Sequence, residues 1–287
     1  MTNSGLLDTG SPCLTVVVVT YNSARVIGAL LDSLPEGLEG IAATEVVVVD
    51  NGSKDGSAMI AASHAVGARV IQTGRNLGYA AAINVALATI HKGSHVLVLN
   101  PDIRLEPGCA ITLVDGLLDE GVGATVPQLL KEDGSLAYSL RREPSVITSW
   151  ADSVLGTRVA GRLGIGEVVM APRSYSEGGE VEWATGAALA ISAQARQLVG
   201  AWDESFFLYS EEVDYMERIR RCGLKVVYEP RARAMHIGGD YQSNTKLSAL
   251  MTANRIVYFA RHHSRLATVI FRLGIIAGET VRFGLGP

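Results

Sequence analysis

Three polar clusters stand where this chain could do chemistry, each closing an apolar run. Asp50 follows the valines 46–49, and Thr20-Tyr21-Asn22 closes the valine run 16–19. An acid at a strand end accepts hydrogen bonds from a nucleobase imide or a ribose hydroxyl. Asp-Asn-Gly-Ser is also good turn chemistry, so Asp50 either binds a ligand or caps its own turn. Asn100-Pro101-Asp102 closes the run 95–99; a carboxylate beside an amide either holds a divalent metal that a diphosphate helps to ligate or is a loop acid before a helix. Ser210-Glu211-Glu212-Val213-Asp214 packs three acids into five residues after the aromatic run 206–209. A helix N-terminus stabilises acids in its first turn, and the same field favours the ionised carboxylate that a general base requires. Three acids exceed what capping needs. His236, at the end of a short apolar stretch, is ambiguous on its own, since a lone histidine near a strand end is more often structural than a ligand.

Strands and helices must carry these residues to one place. The continuous β-branched runs 15–20 and 45–49 read as strands buried on both faces, as in a parallel sheet covered by helices. Between them Val26, Ile27, Leu30, Leu31 and Leu34 recur at helical spacing. The unit is β–α–β, and ligands of such sheets bind beyond the carboxyl ends of the strands. Thr20–Ser23 and Asp50–Ser53 therefore share a rim. Further strands are expected at 68–72, 95–99, 123–126 and 225–228, the last closed by Pro230. Helices are expected at 56–65, in the second half of 74–90, and at 107–120, 193–198 and 211–222. Ser210 is the expected N-cap of the last of these and Gly223 its C′ residue. Asp133-Gly134 reads as a hairpin-like turn. Residues 141–179, with several glycines and little periodicity, read as a mobile loop or lid. The polar tail is 1–13.

Composition excludes several classes. A net charge of −4 argues against nucleic acid as a partner. Cys13, Cys109 and Cys222 have no CxxC spacing and read as reduced thiols in a cytoplasmic protein. The N-terminus lacks the pattern of a signal peptide, and no apolar run has the length of a membrane span. The first turn, TYNSARVIG, lacks the GxGxxG of a dinucleotide fold, and no GxxxxGK[ST] is present. That turn also lacks the glycine-rich basic loop of a sugar-1-phosphate nucleotidyltransferase.

The pieces VVVVTYNS, VVVDNGSKDGS, GRNLGYAAAIN, VLNPD, WATGAAL, WDESFFLYSEEVDYMERIRRCG and AMHIGG come in one order over roughly residues 14–240. Together they resemble inverting glycosyltransferases of family 2 with the GT-A fold. The resemblance implies an α/β protein: a mostly parallel nucleotide-binding sheet flanked by helices, with a C-terminal helical extension. It divides the chain into a tail (1–13), a catalytic domain (14–240, nucleotide-binding half about 14–127, acceptor half about 128–240) and a helical segment (241–287). It assigns Thr20, Tyr21, Asn22, Asp50, Asn51, Ser53, Arg75, Asn76 and Gly78 to the donor nucleotide. Asp102 corresponds to the last acid of the DxD-type metal motif, whose first acid is Asn100 here, and His236 to a metal-ligating histidine of some relatives. The cofactor implied is Mg²⁺ or Mn²⁺. The base is the second residue of an acidic pair, hence Glu212, with Glu211 and Asp214 as alternatives. Trp183 and Gly186 are expected on the acceptor side, although Trp183 reads equally as core.

Within the family the likeness is to actinobacterial rhamnosyltransferases, carried by AYSLRREPSVITSWADSVLG, NLGYAAAIN and the tail after His236. It implies L-rhamnose from dTDP-rhamnose as donor and a polyprenyl-diphosphate-linked or other glycan as acceptor, in cell-wall synthesis. A UDP-sugar donor, or a non-catalytic sugar-nucleotide-binding protein on the same fold, is the alternative. From residue 255 onward there are five arginines, Arg255, Arg261, Arg265, Arg272 and Arg282, against one acid, Glu279. Such a basic, apolar segment either lies on anionic lipid at the cytoplasmic face of the membrane or packs on the core or in a homodimer. Arg255 or Arg261 would suit an acceptor diphosphate.

Overall fold

The computed structural model describes residues 14–238 and 245–285, with side chains to Val281. The 1–13 tail with Cys13, Gly239, and the side chain of Arg282 lie outside the described residues.

The nucleotide-binding half is built as the valine runs require. Strands β1 (Leu14–Thr20), β2 (Thr44–Asp50), β3 (Arg69–Gln72) and β4 (His95–Leu99) pair in parallel in the order β3-β2-β1-β4. Helices α1 (Ile27–Gly37), α2 (Ser57–Ser63) and α3 (Tyr79–Leu87) connect them. The sheet is covered on both faces. Val17, Val19, Val47 and Val49 point to one apolar cluster with Ile83 and Ala86 of α3. Val16, Val18, Val46 and Val48 point to another with Leu30, Leu31 and Leu34 of α1. Every residue of β1 is buried, which is why its sequence does not alternate.

The second half mixes directions. After β5 (Ile103–Leu105) and α4 (Cys109–Leu117) come β6 (Val122–Leu130) and β7 (Leu140–Arg141). The stretch expected to be a mobile lid instead folds into α5 (Val146–Leu155), α6 (Thr157–Arg162) and α7 (Pro172–Glu177). Ser145 and Thr148 close a capping box at the start of α5. The outcome differs from the expectation because the apolar residues here, Ile147, Val154, Val159 and Leu163, face outward and break the core-facing periodicity. The apolar run 181–191 splits into β9 (Trp183–Ala184), which follows β8 (Gly179–Glu180), and β10 (Ala188–Ile191). Strand β10 is antiparallel to both β4 and β6, so it joins the two halves of the sheet.

Helices α8 (Ala193–Val199) and α9 (Glu211–Arg221) precede β11 (Lys225–His236). Pro230 does not close β11. The strand runs on to His236 through a register shift between Glu229 and Arg233, where a proline costs no ladder hydrogen bond. Past Pro230, β11 pairs antiparallel with β5, setting His236 opposite Ile103 beside Asp102.

The C-terminal segment is α10 (Thr245–His262) and α11 (Arg265–Leu285). Helix α11 packs on α5 of the same chain. Ser149 Oγ donates to the Phe271 carbonyl at 3.0 Å, Trp150 Nε1 to Ile270 at 3.0 Å, and Ser153 Oγ to Gly274 at 2.5 Å. A Cβ at Gly274 would collide with Ser149 Oγ, and one at Gly278 would lie 2.7 Å from Ser153 Oγ, so small residues set this close crossing. Phe259 of α10 stacks on Phe271, ring centroids 4.0 Å apart. No helix among the described residues is long and apolar enough to cross a membrane.

Gly274→Leu is expected to lower thermal stability by about 1–3 kcal/mol, the usual cost of overpacking a tight contact. Limited proteolysis should cut α11 before the sheet. Wild-type Tm and digestion in that variant would show that the crossing is not close in solution.

Candidate active site

The register of β1 and β2 pairs Thr20 with Asp50, so both loops leave from one rim. They are stitched together. Asn22 N–H donates to Ser53 Oγ (2.9 Å), Lys54 N–H to Asn22 Oδ1 (2.9 Å), Ser23 N–H to Ser57 Oγ (2.8 Å) and Ala24 N–H to Asp55 Oδ2 (2.9 Å). Asn22 sits at φ 52°, a left-handed conformation that asparagine tolerates. Asp50 is buried; Oδ2 accepts from Ser53 N–H at 3.3 Å, while Oδ1 has no partner, and neither does the buried Thr20 Oγ1.

Asn51 is the hub of the site. Its buried amide donates to Asn76 Oδ1 (3.0 Å) and the Gly78 carbonyl (3.1 Å), and its Oδ1 accepts from Leu77 N–H at 2.9 Å. That fixes the loop 73–78. Gly78, at φ 92°, lets Phe207 come close: a Cβ there would lie 2.5 Å from the Phe207 carbonyl, which accepts from Tyr79 N–H at 2.8 Å. The segment before α9 is thereby hung on the donor-side loop. Asn51 holds the walls with its whole amide. Arg75 is exposed at the edge of this loop.

A cleft of about 570 Å³ opens here, lined by Tyr21, Asn22, Asn51, Asn76, Gly78, Tyr79, Asn100, Asp102, Phe207 and Gly238 among others. Asp50, Ser53 and Arg75 stand behind or beside this lining. Tyr79 is a site residue that sequence reasoning missed, although it lies inside GRNLGYAAAIN. Its hydroxyl donates to Asn100 Oδ1 at 2.8 Å. Burial, and the nearby charges of Glu211, Glu212 and Asp102, push its pKa well up, so it stays a donor.

Asp102 and His236 meet as the pairing of β5 with β11 dictates, with Oδ1 and Nε2 3.3 Å apart. That approach lacks hydrogen-bond geometry, and Asp102 Oδ1 is buried without a partner. A Cβ at Gly238 would overlap Asp102 Oδ2, so the glycine makes room for the carboxylate. Among the described residues no third His, Cys, Asp or Glu completes a metal cluster. One imidazole and one carboxylate, whose Oδ1 is unpartnered, suit a divalent cation whose remaining ligands would come from a diphosphate.

The acidic run opens α9 in an unexpected way. Ser210 is at the N-cap position but has φ 74° and makes no side-chain cap. Glu211 is buried with Oε2 unpartnered, and Glu212 Oε2 is likewise shielded and unpartnered. Burial, then the charge of Glu212, push Glu211 well up; burial also raises Glu212, with backbone hydrogen bonding and the Arg141 guanidinium pulling it partly back and Glu167 adding to the rise. Desolvation thus outweighs the helix field that was expected to favour ionisation. Two adjacent buried carboxyls ionise as a pair, in steps. A Cβ at Gly186 would lie 3.0 Å from Glu212 Cβ, so Gly186 is pressed against the candidate base.

Four expected site residues are engaged elsewhere. Asp214 is paired with Arg218 at 2.8 Å, an i,i+4 bridge along α9. Trp183 lies in the core, its indole N–H donating to the Arg142 carbonyl at 2.8 Å. Arg255 is paired with Glu167 and lies over the Phe271 ring. Arg261 pairs with Asp203 at 2.6 Å.

Glu211→Gln is expected to stabilise the fold near neutral pH by about 1–3 kcal/mol, the scale of an uncompensated buried polar group. The sign follows from linkage: with the folded pKa raised, the unfolded chain releases its proton first, near 4.5, and stability falls as pH rises from there. The gain should shrink as pH drops below 4.5. Equal Tm values for both proteins at neutral pH would show that Glu211 carries no such penalty.

A model of the family described as "Glycosyl transferase family 2" matches residues 15–168. The chain is 32% identical over 271 residues to an N-acetylglucosaminyl-diphospho-decaprenol L-rhamnosyltransferase of Mycobacterium tuberculosis, spanning 88% of this chain and 85% of that protein. Its fold is similar to that of the mannosyltransferase PcManGT from Pyrobaculum calidifontis, solved with GDP-Man and Mn²⁺ (TM-score 0.61, 19% identity, 95% of this chain and 74% of the other). It is also similar to GalNAc-T7, solved with UDP, GalNAc and Mn²⁺ (TM-score 0.57, 17% identity, 80% of this chain but 45% of the other). The two structures speak to the fold, and the mixed sheet flanked by helices is that of GT-A glycosyltransferases. With the family model covering more than half of its length and a relative aligned over most of the remainder, this chain belongs to glycosyl transferase family 2 and is a glycosyltransferase.

Proposed function

We propose that this enzyme transfers L-rhamnose from dTDP-rhamnose, with inversion, to an N-acetylglucosaminyl-diphosphoryl-polyprenol, at the cytoplasmic face of the membrane. The similarity to the mycobacterial N-acetylglucosaminyl-diphospho-decaprenol L-rhamnosyltransferase over 88% of the chain supports the transferred sugar and the acceptor. The observation that carries the reaction is the Glu212 carboxyl at the start of α9, its shielded Oε2 unpartnered and its charge near enough to act on Tyr79 of the cleft lining.

In this reading the nucleotide enters between the Thr20 and Asp50 loops. Thr20 Oγ1 and Asp50 Oδ1, both buried and unpartnered, are the free hydrogen-bonding atoms at that rim. Tyr21, Asn22 and Asn76 form the walls. Tyr79 holds Asn100 so that its Oδ1 is already engaged, which leaves Asp102 and His236 to hold a divalent cation. When bound, the cation offsets the charge that builds on the departing diphosphate. Glu212 takes the proton of the acceptor hydroxyl as it attacks the anomeric carbon. Its raised pKa makes it a stronger base than an exposed glutamate, provided the pH keeps it ionised. Glu212, the second acid of the pair and the one that Gly186 is pressed against, is taken as the base. The catalytic domain is taken as 14–240 and the helical segment as 241–287.

Glu212→Gln is expected to bind donor normally and to lose roughly two orders of magnitude in turnover, the contribution of a general base. Since the base acts ionised, the wild-type rate should fall as pH drops through a pKa above that of an ordinary glutamate. Near-normal turnover in the variant, measured as dTDP release with acceptor present, would assign the proton to another group. Asp102→Ala and excess EDTA are each expected to remove most activity. A wild-type enzyme fully active in EDTA contradicts the Asp102–His236 cation site.

A further inference from the structure

Helix α11 does more than pack on α5. Its inner side, Phe271, Gly274, Ile275 and Gly278, is buried, while the opposite side leaves Leu266, Val269, Leu273 and Ile276 at half or more exposure, with Leu266 at 71%. Helix α5 does the same: Ser149 and Ser153 face α11, while Ile147 (70%) and Val154 (71%) face solvent. Trp150 spans the seam, its indole donating to the Ile270 carbonyl, so the two apolar strips join. Val159 and Leu163, in and just after α6, extend the surface. A patch of this kind on two helices and their connection is more than scattered surface apolarity.

Charge says what covers it. Arg158 and Arg162 stand at the α6 edge, and Arg265 and Arg272 at the α11 edge, all exposed, and no ion pair holds any of them among the described residues. The acids of these helices are Asp152, turned toward Glu167, and Glu279. The edge of the patch is thus cationic on a chain whose net charge is −4. A second copy of the same face would bring these arginines together, which like-charge repulsion opposes. Anionic lipid headgroups match them, and an apolar strip bordered by arginine suits the boundary between headgroups and acyl chains.

We propose that α5, α6 and α11 together form a docking face for an anionic lipid bilayer. The face is composite: it requires the internal 146–165 segment as much as the C-terminal helix. It is also tied to α10, because Asp152 of α5 accepts from the Glu167 N–H and Glu167 pairs with Arg255 of α10. Docking would present the cleft at a fixed height over the surface from which a lipid-linked acceptor emerges; this last point rests on the proposed function, whereas the lipid binding does not.

The test is cosedimentation of the full chain with phosphatidylcholine vesicles, with and without phosphatidylglycerol. The wild type should bind the anionic vesicles at low salt and lose binding as salt rises. Ile147→Glu combined with Leu273→Glu should weaken binding roughly tenfold or more. Leu118→Glu, equally exposed but on the far edge of α4, should not. Both variants place a charge on solvent-facing positions, and circular dichroism with Tm checks that they fold. Wild type that ignores anionic vesicles, face variants that bind as the wild type does, or a wild-type dimer that the face variants split without any vesicle binding would each overturn the proposal. No donor or acceptor enters this measurement, so its failure leaves the proposed reaction standing, and a wrong acceptor leaves the lipid binding standing.

Discussion

The buried side-chain amide of Asn51 is the interaction on which the site depends. It sits one residue beyond the valine strand β2, with its backbone N–H bonded to the Thr20 carbonyl at 2.8 Å. Its amide oxygen and nitrogen then order the loop 73–78. That loop ends at Gly78 and Tyr79, which receive the Phe207 carbonyl, and three residues later Ser210 starts the turn into Glu211 and Glu212. A single satisfied amide in a low-dielectric setting thus links the nucleotide rim to the acids of α9. An apolar residue there would leave two backbone groups, the Leu77 N–H and the Gly78 carbonyl, without that partner, each a cost larger than the net value of one hydrogen bond.

Around that link the chain separates two electrostatic tasks. Asp102 is held near His236 with one oxygen unpartnered, where in the proposed reaction a cation and a diphosphate would complete the charge balance. Glu211 and Glu212 are held where burial raises both, away from compensating ion pairs; Arg141 is the cation that reaches Glu212. The third acid, Asp214, is neutralised by Arg218. Acids within five residues therefore stand in different electrostatic states because their surroundings differ.

Much of this was legible in the amino-acid sequence. The runs 15–20, 45–49 and 95–99 are buried on both faces, and that alone makes a continuous β-branched run. The start and end of α9 were legible from the acids and from Gly223. Residues 146–165 were not, because their apolar side chains face outward and glycines interrupt the pattern. Pro230 was misleading, since a register shift in β11 removes the need for its missing N–H. At the site, residue type marked Asp102, His236 and Glu212 as candidates, and the fold brings the first two together. Type could not reveal that Trp183 is core or that Arg255 is claimed by Glu167, since both depend on partners distant in sequence. The Asp214–Arg218 bridge was available as an i,i+4 pair, and Tyr79 was hidden because a tyrosine among alanines reads as packing.

The central claim is that a carboxylate on α9 deprotonates the acceptor for a single displacement at the anomeric carbon. The anomeric configuration of the product, followed by ¹H NMR from the first turnovers, tests it most directly. The account predicts a product of configuration opposite to that of the nucleotide-sugar donor. A product that retains the donor's configuration would contradict it, since one attack by an activated hydroxyl cannot preserve the stereochemistry.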